Sequence, residues 1–236
     1  MIKISIITIN YNNLAGLKKT FESVIFQKYL DFEFIIIDGG SSDGSKEFIE
    51  SNLEKINYFV SESDNGVYHA MNKGLINSTG DYCLFLNSGD FFYDENVLLD
   101  ISKVLDFSID LLYGCIIWTE NNELWSPKRD FKSFEVTNYS PIPHQATFYR
   151  TALLKKNGGY KEEFKVVSDW GVMLEFIIQK KNLKKIDRII SFCEPAGISS
   201  SDLKYNKREY ISYLIKYHPI LLLIGFIYRL KKACFS

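Results

Sequence analysis

Carboxylates that close apolar runs are the first residues in this chain able to do chemistry. Asp38 ends the run Phe32 to Ile37, and Asp90 closes Asn87-Ser-Gly-Asp90 directly after Tyr82-Cys-Leu-Phe-Leu86. The run Ile2 to Ile9 also stops at a polar cluster, Asn10-Tyr11-Asn12-Asn13. Short apolar runs of this kind read as strands covered on both faces. A carboxylate fixed at the C-terminal end of such a strand stands where open α/β sheets place their ligands. The same residue type also caps helices, because its oxygens accept the orphan N–H groups of a first turn. That alternative applies to Asp38 and to Asp90, which precedes a helix expected over Glu95 to Leu105. It applies equally to Ser168 or Asp169, ahead of a helix expected over Gly171 to Lys180.

Holding such groups in place requires a layered scaffold, and the periodicity supplies one. Leu14, Leu17, Phe21, Val24 and Ile25 recur at helical spacing over Leu14 to Gln27. Asp38-Gly-Gly-Ser-Ser-Asp43-Gly44-Ser45 leads from the second strand into a helix from about Lys46. Strand, Gly/Ser/Asp loop and helix is a nucleotide-binding arrangement, although neither dinucleotide-fingerprint nor P-loop glycine spacing is present. Asn57 to Val60 reads as a strand, Val67 to Ile76 as a helix, and Asn77 to Asp81 as a breaker before the strand that ends at Asn87. This alternation predicts an α/β domain with a mostly parallel sheet, helices on both faces and the polar strand ends along one edge. Beyond Asp110 the pattern changes. Leu111 to Thr119 and Leu124-Trp125 form an expected hairpin, and Phe131 to Tyr139 is irregular. Pro141 and Pro143 argue against helix as far as Gln145, Ala146 to Tyr149 reads as a strand, and Gly158-Gly159-Tyr160 as a turn.

With 236 residues, 46% hydrophobic and 15% aromatic, the chain can bury a large α/β core, and disorder is not expected. A net charge of −1 argues against nucleic acid as partner. The balance is uneven, because from Leu203 onward seven Lys and Arg face Glu209 alone. Within that stretch Pro219 to Tyr228 is apolar and too short to span a bilayer, which takes about 20 helical residues. Flanked by basic residues, it suits an anionic membrane surface. The alternative is helices packed on the domain or on another subunit, as in a homodimer. Cys83, Cys115, Cys193 and Cys234 form no CxxC pair and read as buried free thiols, in keeping with a reducing cytoplasm. The N-terminus enters a strand at once, with no signal-peptide pattern expected.

Four blocks in order give the chain a likeness. They are Ser5-Ile-Ile-Thr8-Ile-Asn10-Tyr11-Asn12, Ile35 to Gly44, Ser61 to Asp90, and His144-Gln145-Ala-Thr-Phe148 with Val167-Ser-Asp169-Trp170. Together they resemble the family 2 glycosyltransferases, inverting enzymes of the GT-A fold, and within them bacterial enzymes of O-antigen, capsule and exopolysaccharide synthesis. The resemblance covers about residues 1–190. It implies a catalytic domain over 1–202, with a nucleotide-sugar half (1–106) and an acceptor half (107–202), and 203–236 as a separate helical tail. It further implies a nucleotide-sugar donor, most often a UDP-sugar, lined by Thr8, Asn10, Tyr11, Asp38, Asp64, Lys73, Asn87 and Ser88. Asp38 would bond the nucleobase. Asp90 would hold Mn²⁺ or Mg²⁺ against the diphosphate, and Asp169 would be the catalytic base. His144, Gln145 and Trp170 would lie toward the acceptor, a lipid-linked saccharide at the cytoplasmic face of the cell membrane.

The departures are informative. Many members carry Asp at both ends of the three-residue metal motif, where this chain has Asn87 and Gly89 with Asp90 following. An Arg common in the preceding helix is Met71. The thinned motif motivates a second reading, a catalytically weak partner that binds nucleotide-sugar or saccharide in an assembly. A sugar-1-phosphate nucleotidyltransferase ranks last, because the Gly-rich N-terminal loop with its basic residue is missing.

Overall fold

The structure is a computed structural model that describes residues 1–127, 142–194, 203–221 and 223, the side chains of 203–206 excepted. Its first half alternates as the periodicity requires. β1 (Ile4–Asn10), α1 (Leu14–Ile25), β2 (Phe32–Asp38), α2 (Ser45–Glu50), β3 (Tyr58–Ser61), α3 (Val67–Asn77) and β4 (Tyr82–Phe85) follow one another. Next come β5 (Phe91–Phe92), α4 (Val97–Ser102), β6 (Leu111–Trp118), β7 (Glu123–Trp125), β8 (Thr147–Arg150), α5 (Thr151–Lys156), α6 (Ser168–Ile178), β9 (Leu183–Cys193) and α7 (Leu203–Tyr217).

The strands make one sheet in the order β3-β2-β1-β4-β8-β6-β9-β5, with β7 paired to β6. β3, β2, β1 and β4 are parallel neighbours, as βαβ crossovers demand. β8 then runs antiparallel between β4 and β6, and β9 is parallel to β6. The reversal at β8 sets the start of that strand beside the end of β4.

Side chains alternate between two cores. Along β2, Ile35 and Ile37 join a cluster with Met71 and Leu75 of α3 and Met173 and Phe176 of α6. Phe34 and Ile36 join another with Leu17, Phe21 and Val24 of α1 and Leu98 and Ile101 of α4. Met71, at 1% exposure, is therefore a packing residue. Cys83, Cys115 and Cys193 are free and buried.

The C-terminal region differs from the expected separate tail. Trp170 of α6 lies edge-on to Tyr210 and Tyr213 of α7, with ring centroids 4.7 and 5.5 Å away. Glu209 accepts from the amides of Lys165 and Val166, both at 2.9 Å. Tyr213 and Leu214 belong to the same core as β2 and α3. α7 is thus part of the packed domain. Most of Pro219 to Tyr228, the irregular stretch expected over Phe131 to Tyr139, and Cys234 lie outside the described residues.

Candidate active site

The parallel register aligns the polar strand ends, pairing Asn10 with Asp38 and Asp38 with Ser61. Asp38 is fully buried and accepts four hydrogen bonds: from Asn10 Nδ2 and Ser41 Oγ on Oδ1, and from Ser41 N and Ser61 Oγ on Oδ2. Burial pushes its pKa up, and these bonds more than offset that, leaving it below the ordinary value. In this arrangement Asp38 braces the loop, tying Asn10, Ser41 and Ser61 together at the strand ends. Above it Tyr11 is 68% exposed. Its ring and Asp64 Oδ2 flank Gly39, where a Cβ would meet them at 3.1 and 3.2 Å. Lys73 binds Asp64 Oδ1 at 2.6 Å and Glu62 at 2.8 Å. Burial pulls that ammonium's pKa down, and the two carboxylates together carry it above the ordinary value.

At the end of β4 the backbone keeps pairing with β1 through Ser88 N to Ile9 O, then turns at Gly89 with φ +105°. Few residues other than glycine adopt that angle. Thr20 of α1 pins the turn, accepting from Gly89 N and donating to the Asp90 carbonyl. The Asp90 side chain points inward. It is 6% exposed and accepts from the Glu194 amide at 3.1 Å and from the side chain of Gln145. Burial raises its pKa to about 6, against the lowering effects of His144, the Glu194 amide and Gln145. The Glu194 side chain lies over Gly89, with Oε2 2.9 Å from where a Cβ would stand, and is tied to Lys19 at 2.9 Å.

Asp169 enters from α6. Val167 is the N-cap of that helix and makes no side-chain cap bond, so neither Ser168 nor Asp169 serves as the cap. Asp169 sits in the first turn, where the helix dipole favours a negative charge. Its Oδ1 accepts from Tyr68 OH of α3 at 3.1 Å, and its Oδ2 lies 3.3 Å from His144 Nδ1. Burial, then the charge of Asp169, hold the Tyr68 phenol well above its ordinary pKa, so it remains a donor. His144 stands on a 3-10 turn (His144–Ala146) that leads into β8. That turn occupies the stretch where the prolines argued against helix. Because β8 is antiparallel to β4, the imidazole reaches the strand end, with Nε2 3.2 Å from Asn87 Nδ2.

The structure therefore brings Asn87, His144 and Asp169 together, with Ser88 and Asp90 on the same turn. Asn10, Tyr11, Asp64 and Lys73 collect around the ends of β1 to β3. Thr8 and the Trp170 ring stand apart from both groups, although the Trp170 amide donates to Asp169 Oδ1 at 2.8 Å. Thr8 is fully buried and donates to Leu86 O at 2.7 Å, binding β1 to β4. Trp170 is 1% exposed inside the core, which corrects its expected place at the acceptor. Gln145 turns toward Asp90 and accepts Ser191 Oγ on its carbonyl. Tyr68 and Glu194 were not marked by the sequence, since neither lies in a motif that names a partner so far along the chain.

Whether these residues suit a divalent cation depends on the donor set. Among the described residues no group of three or more His, Cys, Asp or Glu converges. The strand end offers the carboxylates of Asp90 and Glu194, which lie beside Gly89. These are hard oxygen donors, too few for a cage made of protein alone. Mg²⁺ and Mn²⁺ are commonly held by one or two carboxylates with diphosphate oxygens completing the shell, so the set fits a cation that arrives with its substrate.

Solved structures of similar fold define the class. S. aureus TarS in complex with UDP-GlcNAc superposes with a TM-score of 0.72 over 88% of this chain and 64% of that one, at 21% identity. The mannosyltransferase PcManGT of Pyrobaculum calidifontis, in complex with GDP-Man and Mn²⁺, gives 0.66 over 94% and 69%, at 15% identity. The fold is the GT-A fold of nucleotide-sugar transferases. The chain belongs to glycosyltransferase family 2, whose pattern (Glycosyl transferase family 2) matches residues 5–168. It is 32% identical over 206 residues to an uncharacterized glycosyltransferase of Mycobacterium tuberculosis, covering 83% of this chain and 71% of the relative. It is also 28% identical over 229 residues to a PGL/p-HBAD biosynthesis glycosyltransferase of Mycobacterium bovis, covering 93% and 89%.

Proposed function

We propose that this glycosyltransferase moves one sugar from a UDP-sugar to a hydroxyl of a lipid-linked saccharide, with inversion, in the synthesis of a cell-surface polysaccharide such as O-antigen, capsule or exopolysaccharide. One observation carries the reading: Asp169 is held at the end of β4 by donors from two other segments while its side chain stays 25% exposed. An acceptor hydroxyl is a poor nucleophile until a carboxylate within hydrogen-bond reach takes its proton. Asp169 is that base. Tyr11 and Asp64 flank the base and ribose end over the loop that Asp38 braces. Asp90 and Glu194 would hold Mn²⁺ or Mg²⁺, which neutralises charge growing on the leaving diphosphate. A UDP donor draws support from TarS, solved with UDP-GlcNAc, and a place in a biosynthetic pathway from the relative named for PGL/p-HBAD biosynthesis.

The test is release of nucleoside diphosphate from a panel of UDP-sugars and GDP-mannose with Mn²⁺. Asp169→Asn should lower that release by about 10²-fold or more. Undiminished turnover in both Asp169→Asn and Asp90→Ala would sink the proposal. The sparse donor set around Asp90 favours one competitor, a chain that binds donor without turning it over. Calorimetric binding of a UDP-sugar without release on any acceptor would establish it.

The membrane surface enters through α7 and the residues C-terminal to it. Among the described residues no helix is long and apolar enough to cross a membrane. The outer side of α7 exposes Ile211 and Ile215 near Lys207 and Arg208, and Ile220 and Leu223 are exposed beyond it. Apolar side chains with basic neighbours bind anionic interfaces. Flotation with anionic liposomes should weaken when residues 219–236 are removed, a cut that spares α7 and its exposed Ile211 and Ile215. Equal flotation of both forms would reject the assignment.

A further inference from the structure

Asp169 meets a donor on each oxygen, Tyr68 OH on Oδ1 and His144 Nδ1 on Oδ2. The second contact constrains the imidazole. An ionised carboxylate only accepts, so the nitrogen facing it must carry the proton. In a neutral ring the other nitrogen is then a bare acceptor. At that nitrogen stands the Asn87 side chain, with Nδ2 3.2 Å from Nε2. Turned over, the amide would set its oxygen against a lone pair. In the observed orientation it donates, and Oδ1 is left buried without a partner. An ionised aspartate at 87 could not donate at all. It would require protons on both imidazole nitrogens, placing a positive charge beside the base and weakening its hold on a proton.

We infer that Asn87 is a positioning residue that holds His144 in its Nδ1–H tautomer, so that His144 and Tyr68 together fix the Asp169 carboxylate for proton removal. The inference rests on Asp169 being the base. It gives the amide at the strand end a task in proton transfer that is separate from any contact with the donor. The three contacts come from four segments, namely the end of β4, the turn before β8, α3 and α6. The carboxylate therefore has little freedom to swing.

The tautomer can be read directly. In the full-length, metal-free protein labelled with ¹⁵N-histidine, long-range ¹H–¹⁵N correlations at about pH 8 report which nitrogen of a neutral ring is protonated. The chain has three histidines, and the spectrum of His144→Asn assigns the signal in question. Wild type should show Nδ1–H, and Asn87→Ala, which leaves the Asp169 contact alone to set the tautomer, should show a measurably larger Nε2–H fraction. An Nε2–H ring in wild type, or no change in Asn87→Ala, overturns the inference. Kinetics with the UDP-sugar that turns over in the release assay give the second readout. Asn87→Ala and His144→Gln should lower kcat by about tenfold or more, with donor KM within about threefold. His144→Asn, whose amide nitrogen stands where Nδ1 stood, should recover much of the loss. A rise in KM at unchanged kcat would make Asn87 a donor contact and overturn the positioning role. Full turnover in Asp169→Asn would instead remove the base assignment, and the kinetic half of the inference with it. A dead Asp169→Asn beside an Nε2–H wild type overturns this inference alone.

Discussion

Asp90, the proposed cation ligand, rests in the metal-free protein against the Glu194 amide and Gln145. Its folded pKa of about 6 lies above the ordinary value of 3.8, with burial as the main cause. A raised acid favours folding fully below its unfolded pKa and loses that contribution as pH climbs through the folded one. Asp90 therefore costs the metal-free protein about 3 kcal/mol between roughly pH 4 and pH 6. Asp90→Asn should match wild type in thermal stability near pH 4 and melt several degrees higher at pH 7.5. A gap that does not change with pH would contradict the burial argument. A cation bound beside the carboxylate should narrow it, because its charge favours the ionised form.

Among the elements, those with a simple period were legible. β1, β2 and β4 are covered on both faces, so their sequences are mostly apolar, broken only by the buried Ser5, Thr8 and Glu33 before the polar strand ends, and α1 and α3 keep a plain helical stripe. β9 was not legible because Lys184, Lys185, Asp187 and Arg188 break its apolar pattern. Its charges are satisfied laterally, Lys185 by Asp187 and Arg188 by Asp94 and Asp100. α5 and β5 are too short to show a period. In the site, the strand-end residues were visible by type, whereas Tyr68 meeting Asp169 across 101 residues is a product of packing. The α6–α7 contact was hidden for the same reason. Gly171 faces Tyr213 so closely that an added Cβ would lie 2.3 Å from its ring. Helix propensity alone favours Ala over Gly by about 1 kcal/mol. Overpacking costs about 1–3 kcal/mol, so Gly171→Ala should destabilise. Combined with Tyr213→Leu, the total loss in Tm should be smaller than the sum of the two single losses, as coupling between contacting residues requires. Additive losses would mean that α7 is not seated on α6.

For the whole molecule, the position of β8 has a consequence during synthesis. β8 is the neighbour of β4 in the sheet, yet residues 147–150 follow residues 82–85 only after β5, β6 and β7 have been made. Until β8 arrives, one side of Tyr82-Cys-Leu-Phe85 is an open row of amides and carbonyls on a strand buried at every position in the finished protein. An exposed apolar edge of this kind recruits other chains. The nascent protein thus passes through a sticky interval that chaperones would have to cover. The two halves, 1–106 and 107–202, should accordingly not be separable. A fragment ending at 106 should collect in the insoluble fraction, while the whole chain, with β8, β9 and α7 in place, remains in solution. A soluble, monomeric 1–106 would show that the open edge of β4 can be tolerated.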